Sequence, residues 1–196
     1  ADSRLEEMEG RVVVVTAHRR ENYGPPLASI CRSLVTLADT IADINIVFSV
    51  HLNPVVRDTV ENIIGSHSRI LLSEPLDYVS FVHLMKRADL ILTDSGGIQE
   101  EVPSLGTPAL VMRSVTERPE ACECGLVRLV GTDETKIVSE ATRLLAGGDG
   151  LPEVVENPFG DGMSSKRICE VLISLSETAG PTTRIEAGEG TPFPMP

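Results

Sequence analysis

The sequence predicts an α/β protein whose doubly wound parallel sheet carries helices on both faces. Short runs of β-branched and aliphatic residues recur along the 196-residue chain, and amphipathic stretches and turn residues separate them. Strands that are apolar throughout, rather than at alternate positions, suit a parallel sheet that is covered on both faces. Parallel neighbours also need long crossover connections, which the amphipathic stretches between the runs supply as helices.

Six strands are predicted because aliphatic residues dominate six short segments. In chain order these are 12–16 (VVVVT), 44–49 (INIVFS), 70–72 (ILL), 90–93 (LILT), 109–112 (ALVM) and 127–130 (VRLV). Helices are predicted where apolar residues recur every three or four positions. These segments are 27–38, 55–64, 78–87, 97–105, 135–145 and 164–176, with a kink expected at Pro103 and a further helical turn expected from Pro119.

The domain organisation is predicted from where these patterns begin and end. A polar leader is expected at 1–10, one domain at 11–176 and a tail at 177–196. A connector rich in Gly and Pro, at 146–162, precedes the last predicted helix. The tail holds Pro181, Pro192, Pro194 and Pro196 among Gly, Thr and Glu, so we expect it to be disordered.

Composition narrows the possible partners. With 17 Lys and Arg against 29 Asp and Glu, the formal charge is −12, which disfavours nucleic acid and anionic membranes as partners. A membrane span needs roughly 18 or more apolar residues, and neither such a run nor a signal peptide is evident. The four cysteines are scattered, and Cys122 and Cys124 lack a second ligand pair. We therefore expect a cytoplasmic protein with free thiols and without a metal site.

The candidate site lies where the first strand ends, because ligands of open α/β sheets bind at the carboxyl ends of strands. His18, Arg19 and Arg20 follow this strand, and the glycine fingerprint of dinucleotide-binding proteins is missing from the turn. Guanidinium and imidazole groups can hold a phosphate. The sequence equally allows a surface salt-bridge cluster around Glu21.

A second candidate segment follows the fourth strand. Ser95, Gly96 and Gly97 open a helix there, where backbone N–H groups and the helix dipole favour an anion. Glu101, one turn later, could accept hydrogen bonds from a ribose diol. Two alternatives are a simple helix cap and a hydrolase in which Ser95 is the nucleophile. Thr93 stands where the nucleophile-elbow pattern has its first glycine.

Three further residues extend the candidate site. Arg118 could reach the same ligand from the loop after the fifth strand, or could form a surface pair with Glu117 or Glu120. His51 follows the second strand and could join Arg19 or Arg20, although a structural role is also open. Phe81 could support a flat base or belong to the core.

Taken together and in this order, TAHRREN, HLNP, DSGGIQEEVPSLGTPALVMR, TERPEA, LVGTD and NPFGDG resemble the C-terminal half of the non-hydrolysing UDP-N-acetylglucosamine 2-epimerases. The resemblance covers about 11–175. It implies one Rossmann-like half of a glycosyltransferase-B-type enzyme that interconverts UDP-GlcNAc and UDP-ManNAc by elimination and re-addition of UDP. It also implies that the catalytic N-terminal domain is missing and that no cofactor is needed.

The resemblance assigns roles to residues of this chain. It implies that Ser95, Gly96 and Gly97 hold the diphosphate, that Glu101 holds the ribose, and that Arg118 and the catalytic His18 face the diphosphate and sugar. The resemblance also implies that Leu76 and Phe81 lie by the uracil, and that a second, allosteric UDP-GlcNAc is contacted by Arg19, Arg20 and His51.

Partners follow from the same resemblance. UDP and UDP-GlcNAc are the expected ligands, and the expected protein partners are the missing domain, a full-length epimerase or a second copy in a homodimer. Two other functions stay open: a nucleotide-sugar-binding half of another glycosyltransferase-B-type enzyme, and a non-catalytic regulatory module.

Overall fold

A computed structural model describes residues 8–147, 152 and 156–178. The chain divides into two compact units, 1–159 and 160–196, and each is described by itself. The predicted disordered tail lies almost entirely outside the described residues, as does most of the predicted leader.

The first unit contains one sheet of six parallel strands in the order β3-β2-β1-β4-β5-β6. In chain order the strands are β1 (Arg11–Ala17), β2 (Ile44–Val50), β3 (Ile70–Ser73), β4 (Leu90–Thr93), β5 (Ala109–Val111) and β6 (Val127–Leu129). All six predicted strands are present within one residue of their predicted ends, so the predicted parallel sheet is confirmed.

Helices connect the strands, and their bounds agree closely with prediction. They are α1 (Pro25–Thr40), α2 (Pro54–Ile64), α3 (Tyr78–Arg87), α4 (Gly96–Leu105), α5 (Pro119–Glu123) and α6 (Glu134–Leu145), followed in the second unit by α7 (Ser164–Thr178). A short 3-10 helix, Arg20–Asn22, follows β1. Pro103 lies inside α4, and the helical turn predicted from Pro119 is α5. In the part of the chain that is described, no helix is both long and apolar enough to cross a membrane.

The core lies on both faces of the sheet, which explains the apolar runs. In β1, Val13 and Val15 pack into one cluster with Phe48 of β2, whereas Val12 and Val14 pack into the cluster on the other face. Each of these valines is at most 1% exposed. Burying such a side chain contributes about 1.5–3 kcal/mol, so a strand buried on both faces needs apolar residues at every position.

The strand order places a crevice at the carboxyl end of the sheet. The chain winds from β1 outwards to β3, then returns and winds from β4 to β6 on the other side. The loops after β1 and β4 therefore leave the sheet side by side and turn to opposite faces. This switch point is where open α/β sheets bind their ligands.

Candidate functional site

The loop after β1 is held to the start of the loop after β4 by one buried carboxylate. Asp94 is fully buried and accepts hydrogen bonds from the backbone N–H of His18 at 3.0 Å and of Arg19 at 2.9 Å, and from the side-chain amide of Asn22 at 2.9 Å. Below this contact the hydroxyls of Thr16 and Thr93 are 2.8 Å apart. A buried charge needs such partners, so the loop has little freedom to leave Asp94.

The predicted anion segment forms the start of α4. Ser95 is the N-cap residue, and its side chain makes no capping hydrogen bond, unlike the side chain in a simple helix cap. Its backbone is extended, with φ −82° and ψ 132°, and lacks the strain of a nucleophile elbow. The hydrolase alternative therefore loses its structural basis. The first N–H groups of α4, which have no intrahelical partner, remain to bind an anion.

The two glycines of this segment are not required by the fold. Positive φ angles occur at several glycines of the described residues, but Gly96 and Gly97 are not among them. A Cβ on Gly97 would be 3.8 Å from the Ser95 hydroxyl, and a Cβ on Gly96 would be 3.4 Å from Nη2 of Arg19. Any residue could therefore adopt this backbone. The absence of side chains is useful only to a group that must approach the main chain closely.

Arg19 lies beside Gly96. The distance to the Cβ position of Gly96 shows that its guanidinium is beside the start of α4. Its buried Nε has no hydrogen-bond partner among the described residues. An unpaired buried donor of a charged group is costly, so an anion at the glycine pair would meet an available guanidinium.

The two histidines of the predicted site are neighbours. The ring centroids of His18 and His51 are 6.5 Å apart. Nδ1 of His18 is 3.5 Å from a carboxylate oxygen of Asp94, and Nδ1 of His51 accepts the N–H of Asn53 at 3.2 Å. Both Nε2 atoms are uninvolved in these contacts. The exposed Arg20 lies in the same loop as His18.

Arg118 reaches the site from the loop after β5. Its side chain forms an ion pair with Glu100 of α4, rather than with Glu117 or Glu120 as the surface-pair alternative supposed. Its N–H donates to the Thr116 hydroxyl at 3.0 Å. The guanidinium therefore lies along the first turns of the helix that begins with the glycine pair.

Glu101, in the second turn of α4, contacts Tyr78 at the start of α3, beside the predicted base pocket. Burial is the main cause that raises the pKa of Glu101, the neighbouring Glu100 adds to it, and a hydrogen bond donated by the Tyr78 hydroxyl opposes it. Leu76 and Phe81 are half-buried and pack against the core cluster on this face. Phe81 therefore belongs in part to the core, as one of its two interpretations supposed.

Sequence reasoning missed four polar residues that position the site. Asp94, Gln99 and Arg113 are buried, and Thr116 links the loop after β5 to α4. Gln99 donates to the carbonyl of Ser95 at 3.0 Å and accepts the Thr116 hydroxyl at 2.5 Å. Polar residues inside otherwise apolar segments were the available signal, because such residues are seldom buried without partners.

Comparison with known proteins agrees with this geometry. The family model described as UDP-N-acetylglucosamine 2-epimerase matches residues 1–173. The UDP-N-acetylglucosamine 2-epimerase of Escherichia coli strain K12 is 52% identical over 164 residues, which are 83% of this chain and 44% of the relative.

Solved structures extend the match. S. aureus MnaA, in a co-structure with UDP, has a TM-score of 0.82 and 40% identity, covering 89% of this chain and 48% of that one. The UDP-GlcNAc 2-epimerase from Neisseria meningitidis bound to UDP-GlcNAc has a TM-score of 0.78 and 38% identity, covering 88% and 48%.

The matches settle both the fold class and the family. The chain spans about half the length of the relatives it matches. The predicted fold class, a Rossmann-like half of the glycosyltransferase-B type, is confirmed. Because the family model covers most of the residues and the relatives share its fold at high identity, the chain belongs to the UDP-N-acetylglucosamine 2-epimerase family.

Proposed function

We propose that this chain is the UDP-binding half of an enzyme that interconverts UDP-GlcNAc and UDP-ManNAc. The observation that carries the proposal is the start of α4, where two glycines that the fold does not need leave backbone N–H groups open beside Arg19. A diphosphate is the part of a nucleotide sugar that such a helix start binds best. The relatives solved with UDP and UDP-GlcNAc support this ligand class.

We assign each part of the nucleotide sugar to residues at this edge of the sheet. Ser95, Gly96 and Gly97 bind the diphosphate, Glu101 accepts the ribose hydroxyls, and Arg118 exchanges part of its ion pair with Glu100 for a phosphate oxygen. Leu76 and Phe81 lie by the uracil, and His18 lies by the sugar.

The proposed reaction uses these groups to stabilise the leaving UDP. In the elimination a base removes the proton on carbon 2 of the sugar, and the bond from carbon 1 to the phosphate oxygen breaks. Negative charge then grows on the diphosphate, where the start of α4 and Arg118 are already aimed. His18, whose Nδ1 faces Asp94, can direct Nε2 to the departing oxygen. Re-addition with protonation on the opposite face gives the epimer.

A second domain is proposed to cover this edge. Among its described residues, the first unit leaves five large apolar residues exposed, each 54–69%, and all of them follow the carboxyl ends of strands. These are Leu52, Val55, Tyr78, Val79 and Val115. In the second unit, α7 exposes five large apolar residues, of which Ile168, Val171, Leu172 and Leu175 share one helix face and Ile173 lies off it. Apolar surface of this kind is typical of an interaction site.

Arg19, Arg20 and His51 are proposed to contact a second UDP-GlcNAc, which would act as an activator. The closeness of His51 to His18 supports this assignment, because it brings the two candidate sites together. A homodimer stays a prediction. We propose a cytoplasmic location, which the four unpaired cysteines support.

Thermal-shift titration of the 196-residue chain with UDP, UDP-GlcNAc and NAD tests the proposal. A ligand that binds only the native state stabilises it by about 2.7 kcal/mol at one hundred times its dissociation constant. We expect a shift with both UDP ligands and none with NAD, and we expect Arg118→Ala and Glu101→Ala to reduce the shift. Arg32→Ala is the matched control, because Arg32 pairs with Glu134 between α1 and α6. A folded protein without a UDP shift would contradict the proposal.

A further inference from the structure

Arg113, at the end of β5, is a buried cation with three hydrogen bonds to carboxylates. It is 8% exposed. Its Nε donates to Glu21 at 2.7 Å, and its Nη1 and Nη2 donate to the two carboxylate oxygens of Glu117 at 2.6 and 3.0 Å. These contacts raise the pKa of Arg113 and lower the pKa of Glu117 to about 2. The group is therefore charged at any physiological pH.

The two carboxylates belong to different loops of the proposed UDP site. Glu21 lies in the 3-10 helix that directly follows His18 and Arg19. Glu117 precedes Arg118, and its carbonyl accepts a hydrogen bond from the Arg118 guanidinium at 3.1 Å. One guanidinium thus joins the loop after β1 to the loop that carries Arg118.

The difference in burial indicates that Arg113 positions the two carboxylates, and that the carboxylates do not position Arg113. Glu21 and Glu117 are 53% and 59% exposed and could be solvated by water without the contact. Arg113 is buried, and its backbone is fixed because its carbonyl accepts the N–H of Gly131 at 3.1 Å. A buried charge without partners is strongly unfavourable, so the exposed carboxylates come to Arg113 and bring their loops with them.

We infer that Arg113 is a positioning residue, which sets the place of Arg118 relative to the diphosphate through Glu117 and ties the His18 loop to the same point through Glu21. This inference rests on the proposed function for its ligand. It does not need Arg113 to touch UDP, because each of the three guanidinium nitrogens already donates to a carboxylate. Lysine cannot replace it, since an ammonium lacks the planar fork that binds two carboxylates at once.

The first test is independent of UDP. Amide hydrogen exchange of the Arg118 N–H, followed by NMR in the ligand-free 196-residue chain, reports whether the loop keeps its bond to Thr116. We expect Arg113→Lys to speed this exchange by about tenfold while the amides of β1 keep their rates. Arg69→Lys is the matched control, because Arg69 is half-buried and donates to the carbonyls of Ile41 and Ala42 at the other end of the sheet. Unchanged exchange at Arg118 in Arg113→Lys would overturn the inference.

The second test is a double-mutant cycle on the dissociation constant of UDP. Arg113→Lys should weaken binding by about tenfold, the scale of coupling between contacting groups. In an Arg118→Ala background the same change should weaken binding clearly less than it does in the unmodified chain, because only the route through Glu21 to the His18 loop is left. Additive losses would overturn the inference. If the unmodified chain binds no UDP, the proposed function fails, and the exchange experiment still decides whether Arg113 holds the loop.

Discussion

Glu101 is subject to two opposing requirements: the native state is more stable when its carboxyl group is protonated, whereas the proposed ribose contact needs the carboxylate. Burial raises its pKa above the ordinary value, and the neighbouring Glu100 adds to this effect, although the Tyr78 hydroxyl donates a hydrogen bond to the carboxylate. The ionised form at neutral pH is therefore less favourable in the native state than in the unfolded chain. Such a charge is retained where a ligand uses it, and the proposed ligand group is the ribose diol.

Glu101→Gln should separate the two requirements. The native pKa is raised, so wild-type stability is greatest below the unfolded pKa and is lost as the pH rises through the native value. The variant has no such loss, and its advantage in unfolding free energy should grow between pH 4 and 7 to less than about 1 kcal/mol, because the group is largely solvent-screened. Affinity for UDP should fall by roughly tenfold, since charge-assisted hydrogen bonds to the ribose are replaced by neutral ones.

Urea unfolding at several pH values and UDP titration measure both effects. Glu120→Gln, in the exposed part of α5, is the control for removing a carboxylate from this surface. A variant that is less stable than wild type at pH 7, or that binds UDP equally well, would show that Glu101 has a structural role instead.

In helix α4, glycine at the C-terminus is required by the fold, whereas the glycines at the N-terminus are proposed to serve a ligand. Its C-terminus ends on Gly106 with φ 69°, a left-handed conformation that favours glycine for the backbone alone. Gly96 and Gly97 have no such need, and a Cβ at either position would make only ordinary van der Waals contacts. Glycine is thus needed for its conformation at one end of the helix, and at the other end its proposed role is to let a ligand approach the backbone.

Gly97→Ala should therefore keep the fold and lose the ligand. Alanine is the better helix former, so stability should be unchanged or should rise by up to about 1 kcal/mol. The added methyl group blocks the path to the N–H groups, and UDP affinity should fall at least about tenfold, equivalent to 1.4 kcal/mol. Thermal unfolding without UDP and titration with UDP give the two values. Thr135→Ala, at the matching position of α6, is the control; equal UDP affinity in Gly97→Ala would refute the assignment.

The elements could be predicted because their signals are local. A run such as VVVVT needs burial on both faces wherever it lies, and Pro119 sets the start of α5 by its own ring. The contacts that shape the site are not local. Asp94 bonds the backbone of His18, 76 positions away, and Arg113 bonds Glu21, 92 positions away. Such pairs follow from the strand order, which places the ends of β1, β4 and β5 together. The strand order cannot be predicted from the sequence of any single segment.

In the molecule as a whole, the carboxyl edge holds cations that can bind an anion, and the carboxylates beside these cations are already paired. Asp94 is buried under three donors, Glu100 pairs with Arg118, and Glu21 and Glu117 both pair with Arg113. Glu101 is assigned to the ribose. These five carboxylates are thus engaged or assigned to the ligand, while removal of the proton on carbon 2 needs an unengaged base of suitable pKa.

The 196-residue chain should therefore bind UDP-GlcNAc without turning it over. In D2O, elimination and re-addition would place deuterium on carbon 2 of the sugar, so proton NMR of UDP-GlcNAc incubated with the chain detects even reversible catalysis. We expect neither deuterium at carbon 2 nor UDP-ManNAc, under conditions where the thermal shift shows the ligand bound. The full-length Escherichia coli relative serves as the positive control, and the chain supplemented with that relative's N-terminal half tests whether a second domain can supply the base in trans. Deuterium incorporation by the chain alone, abolished in Arg118→Ala, would mean that a base on this half, with His18 as the first candidate, removes the proton unaided.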